Sequence, residues 1–141
     1  MRQMSREEAF EFLSTGTRTG KLATVREDGR PHVVPIWFVV DGDDIAFTTW
    51  HASVKCRNME RSGWAALTVD LEEPPYAYVS VEGEIAMTDD PDQLLHIATL
   101  VGGRYMGADR AEEFGRRNAV DGELVVRLRI DKLIARHEIS D

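Results

Sequence analysis

The chain has 141 residues, of which 43% are hydrophobic and 30% charged, a balance that fits one globular domain and not a disordered or fibrous chain. Its net charge of -8 speaks against a nucleic-acid binder, because backbone binding needs clustered Lys and Arg to neutralise phosphates. The single cysteine, Cys56, excludes both an internal disulfide and a cysteine-built zinc framework.

At the N-terminus, Ser5-Arg6-Glu7-Glu8 has the form of a capping box. Ala9, Phe10 and Leu13 follow at helical spacing, so a first helix of about ten residues is expected before Gly16. The pattern then changes. Leu22 to Val25 and His32 to Val40 are β-rich runs around Asp28-Gly29, which predicts a hairpin. After the Asp41 to Asp44 turn, Ile45 to Thr49 reads as a third strand. Trp64 to Val69, Tyr76 to Met87 and Leu124 to Ile139 complete six expected strands, the last two with clear alternation. Asp89-Asp90-Pro91 opens a helix expected to end at Gly102-Gly103, and a short helix is expected over 109–118. Strands that follow one another with few peripheral helices predict a mainly β, α+β fold: a six-stranded antiparallel split barrel in a single domain over 1–141.

The segment Thr48 to Asn58 carries the most chemistry. It leaves a strand through Thr48 and Thr49, crosses a short loop and enters a helix start at Ser53. Helix N-termini hold anions through unpaired N–H groups, and here a hydroxyl at Ser53 and the charges of Lys55 and Arg57 stand beside one. The same pattern also fits a capped helix whose Lys and Arg face solvent. The four histidines, His32, His51, His96 and His137, lack metal-ligand spacing, so no metal site is expected. Trp37 reads as a core aromatic or as a residue facing a ligand. The sequence has neither an apolar run long enough to span a bilayer nor a signal-peptide core at its start, which points to the cytoplasm and away from membranes.

Read together, Gly20 to Val25, Asp28 to Phe38, Thr48-Thr49, Lys55-x-Arg57-Asn58 and Val81 to Ile85 resemble, in order and spacing, the pyridoxamine-phosphate-oxidase-like split-barrel superfamily. The resemblance covers roughly residues 5 to 138 and is closer to its actinobacterial branch, which uses coenzyme F420. It implies an FMN-binding type of split barrel and a homodimer with the cofactor between subunits. By the same resemblance, Lys55 contacts the cofactor phosphate with Thr48, Thr49, Ser53, Arg57 and Asn58, while the strand of His32, Val33, Val34, Pro35 and Ile36 passes along the ring. The region of Tyr76 to Tyr78, and Arg104 with Tyr105, are its candidates for the partner subunit's contribution. The implied activity is hydride transfer from reduced F420 to an electron-poor small molecule such as an enone or quinone, with no dedicated catalytic side chain. An FMN-dependent oxidoreductase, or a non-catalytic F420, flavin or haem storage protein, are the alternatives. Where related F420 proteins carry a second basic residue before the phosphate-binding lysine, this chain has only His51.

Overall fold

A computed structural model describes all of residues 1–141. The elements run β1 (Arg2–Gln3), α1 (Arg6–Ser14), β2 (Gly20–Val25), β3 (Pro31–Ile36), β4 (Val39–Asp41), β5 (Asp44–Trp50), α2 (Val54–Ser62), β6 (Trp64–Leu71) and β7 (Ala77–Thr88). There follow α3 (Pro91–Met106), a 3-10 turn (Ala108–Arg110), α4 (Ala111–Asn118), β8 (Glu123–Arg129) and β9 (Lys132–His137). The predicted capping box at Ser5 forms with both of its hydrogen bonds.

All strand pairs are antiparallel, and one hydrogen-bonded path runs β3-β2-β6-β7-β8-β5-β4, with β9 against β7 and β1 against β9. The path holds seven strands, not the six expected, because the run from His32 to Val40 is cut into β3 and β4; a second cut sets β9 beside the path. The run from His32 to Val40 breaks at Trp37-Phe38, where side chains and not a ladder serve the backbone: the Tyr105 hydroxyl accepts from Phe38 N–H, and Arg104 donates to Phe38 O. The run from Leu124 to Ile139 breaks at Ile130-Asp131. There the Asp131 N–H donates to Glu82 O and its carboxylate accepts from Glu84 N–H.

β7 is the longest strand and the one at which the pairing changes. One edge pairs with β6 from Ala77 to Glu84, and the other pairs with β9 from Ala77 to Glu82 and then with β8 from Ile85 to Thr88. Gly83 lies at the change of partner, where a Cβ would overlap the Arg129 carbonyl oxygen. Only glycine lets the two backbones cross so closely.

The inward residues alternate along the strands as the period of two requires: Ala65, Leu67 and Val69 on β6, and Ala77, Val79 and Val81 on β7. With Leu13, Leu22, Phe38, Phe47, Met59 and Leu128 they form the main core. A smaller core of Val39, Ala46, Leu94, Ile97, Val101 and Val125 seats α3 on the outside of the sheet. α3 does not end at Gly102-Gly103 but continues to Met106. Those glycines instead let α4 come close, since a Cβ on Gly102 would stand 2.5 Å from the Phe114 Cβ.

Candidate cofactor site

β5 carries Thr48 and Thr49 to the end of the sheet, but successive strand residues face opposite ways. Thr48 lies on the face of Ala46, beneath α3, while Thr49 turns to the loop and places its Oγ1 2.9 Å from Ser53 Oγ. Ser53 is the N-cap of α2: its backbone is extended, and its Oγ accepts from Cys56 N–H at 3.2 Å. The Arg57 N–H is bonded to Ser53 O, which leaves the Val54 and Lys55 N–H groups of the first turn with no protein partner. Lys55 is half-buried beside this turn and makes no ion pair, and Arg57 is exposed and also unpaired. Two free N–H groups, the one hydroxyl proton that the Thr49–Ser53 bond leaves over and an unpaired ammonium form a donor set that suits a phosphate.

Asn58 has a different task. It is 2% exposed, donates to Thr24 Oγ1 at 3.0 Å and accepts from Arg61 at 3.3 Å. Both ends of its amide are engaged within the chain, so it pins α2 to β2 and does not reach a ligand. Thr24 is the register partner of His32, so the pin sets the cradle beside the first half of β3.

β3 is the free end of the path. Arg26 N–H donates to Arg30 O across the turn, and the bonded pairs then alternate as Thr24 with His32, Leu22 with Val34 and Gly20 with Ile36. The backbone groups of Pro31, Val33 and Pro35 therefore face away from β2. Both prolines sit where a missing N–H costs no ladder bond. Arg26 takes the Pro31 carbonyl, so the open edge presents the Val33 N–H with the carbonyls of Val33 and Pro35. His32 turns inward, and its Nδ1 is buried without a hydrogen-bond partner.

At the far end of β3, Arg104 donates to Leu13 O, Gly16 O and Phe38 O at 2.7, 2.9 and 2.8 Å. The Tyr105 hydroxyl accepts from Phe38 N–H and donates to Arg18 O. Burial pushes the Tyr105 phenol pKa up, which keeps that donor protonated. Both side chains fix the backbone around Trp37. Tyr78 stands half-buried on the outer face of β7, opposite Asp70 and Arg136, and its hydroxyl makes no hydrogen bond within the chain.

One neighbourhood escaped the sequence. Glu123, opposite Trp50 across β5 and β8, lies near Lys55 and His51; burial raises its carboxyl pKa, and the charge of Lys55 foremost opposes the rise. It lines a cavity of about 540 Å³ with Asp89 and Asp121 over Leu94 and Val120. The β5–β8 pairing that creates this neighbourhood joins residues more than 70 apart, so no local pattern signals it. Trp37, which the sequence reads as core or as facing a ligand, is 40% exposed.

Among solved structures, the chain is similar to the conserved hypothetical protein Rv2991 from Mycobacterium tuberculosis, at 23% identity over 99% of this chain and 92% of that one, with a TM-score of 0.85. It is similar to an F420 reductase at 28% identity over 87% and 94% of the two chains, with a TM-score of 0.68. The haem storage protein HutZ from Vibrio cholerae shares the fold at 17% identity over the full length of both chains, with a TM-score of 0.72. No curated protein matches. The pyridoxamine 5'-phosphate oxidase family profile matches residues 5–136, and the chain belongs to that family.

Proposed function

We propose that the chain is an F420-dependent oxidoreductase subunit that holds the cofactor phosphate in the cradle of Thr49, Ser53, Lys55 and the α2 N-terminus. The observation that carries this reading is the pin of Asn58 on Thr24, which aligns a cradle of unpaired donors with the open edge of β3. A ring bearing N–H and C=O groups can pair with the Val33 N–H and the carbonyls of Val33 and Pro35. The F420 reductase, at 28% identity over 87% of this chain, supports the choice of cofactor. Bound there in its reduced form, F420 supplies a hydride which, with a proton from solvent, reduces an enone or quinone by two electrons. The protein's own share is to hold the phosphate, fix the ring edge and keep one ring face open.

A homodimer belongs to this reading. The register places Val33, Ala23 and Ala66 in one row across the outer sheet face and brings Trp64 beside Val25 in the next. Val33, Val25 and Trp64 are 60%, 51% and 42% exposed, an apolar surface that a second copy would cover.

One observation favours FMN as a second reading. F420 continues beyond its phosphate in an acidic tail, whereas FMN ends there, and the cavity of Asp89, Asp121 and Glu123 adjoins the cradle through His51, whose N–H donates to Gly122 O. Titration of the protein with F420 and with FMN, followed by oxidation of the reduced cofactor against quinones and enones, separates the readings. The first predicts F420 binding and acceptor-dependent oxidation. FMN binding with no F420 affinity overturns it in favour of FMN, and tight binding with no acceptor turnover favours storage.

A further inference from the structure

Trp37 closes the β3 edge with an aromatic face that the chain itself leaves open. Its ring stacks on Tyr105 with centroids 5.0 Å apart and planes 3° from parallel, so one face is covered. The residue still has 40% of its surface exposed. The other two tryptophans differ: Trp50 meets His51 at a tilt of 55°, and Trp64 has no ring partner. The backing of Trp37 is also rigid. Tyr105 is tied to Phe38 N–H and Arg18 O, and Arg104 fastens Phe38 O to the end of α1 through Leu13 O and Gly16 O. A side chain held this way loses little freedom when a ligand stacks on it.

Its place along the strand gives the face a use. The cradle meets the His32 end of β3, through Asn58 and Thr24. Trp37 lies five residues further, roughly 16 Å along an extended chain. A cofactor with its phosphate at the cradle and its ring along Val33 to Pro35 has Trp37 at the ring end, beyond the backbone groups that hold it. We infer that Trp37 is the substrate platform of this site, selecting flat conjugated acceptors by stacking against its open face. The inference rests on the cofactor alignment proposed above.

The test uses the full-length protein carrying its cofactor, with Trp37→Leu and Trp37→Phe compared against the unaltered chain. A flat probe, 2-methyl-1,4-naphthoquinone, is set against a small puckered one, 2-cyclohexen-1-one. Loss of one aromatic stacking contact is worth about a factor of ten in affinity. The ratio of KM for the naphthoquinone to KM for the cyclohexenone should rise about tenfold in Trp37→Leu and return toward the original value in Trp37→Phe. Equilibrium dialysis of the naphthoquinone against the oxidised protein should show the same loss and rescue without turnover. An unchanged KM ratio overturns the platform. Dissociation to monomers in sedimentation, or weakened cofactor affinity in Trp37→Leu, also overturns it by making Trp37 a subunit or cofactor contact. If the protein binds neither F420 nor FMN, the cofactor reading fails on its own. Dialysis then still decides: naphthoquinone binding that Trp37→Leu abolishes keeps the platform, and its absence removes it.

Discussion

Asn58 joins the candidate site to the sheet, and its contribution can be measured apart from any ligand. Its partners Thr24 and Arg61 leave it no free end, and Thr24 itself is buried. Replacing Asn58 with Ala strands the Thr24 hydroxyl and loosens α2, so stability should fall by about 1 to 3 kcal/mol. Urea unfolding checks this, and an unchanged midpoint would remove Asn58 from the scaffold. The contrast with Lys55 shows what a sequence can and cannot tell about a residue. The Ser53 cap and the Lys55 charge follow from neighbours within a turn, so local chemistry reveals them. The fates of Asn58 and Arg104 depend on partners 34 and 66 to 91 residues away, which no local pattern predicts.

At the scale of elements, alternation gives away most strands, because β6 and β7 bury one face and expose the other. The breaks at Trp37-Phe38 and Ile130-Asp131 do not show, since both lie within β-rich sequence and are made by distant groups: Tyr105 and Arg104 in one case, Glu82 and Glu84 in the other. Gly102-Gly103 misleads for a related reason. Glycine ends helices, yet here it admits α4 against α3. Gly83 is the clearest case of glycine as geometry. Gly83→Ala drives a Cβ into the Arg129 carbonyl oxygen at the point where β7 changes partners. A loss of at least about 3 kcal/mol is expected, because backbone on both sides must shift. Thermal unfolding reads it, and a melting point within two degrees of the original would show that the crossing tolerates a side chain.

For the whole molecule, composition fits a globular fold and the ordered motifs point to the family, and only that resemblance, not any pattern in the residues, implies a dimer. The proposed dimer rests on the outer row of Val33, Ala23 and Ala66 with Val25 and Trp64. Sedimentation should give twice the 15.9 kDa chain mass, and Val33→Asp, which sets a charge in that row, should shift the protein toward monomer. A monomeric unaltered protein would contradict the shared site. The central claim is that the cradle at the α2 N-terminus holds the cofactor phosphate, and Lys55→Ala tests it most directly. Titrated with F420 and with FMN alongside the unaltered protein, this variant should bind the preferred cofactor more weakly by about 1.5 to 3 kcal/mol, roughly 10- to 150-fold, with its melting temperature unchanged. Equal affinity in the two proteins would contradict the account.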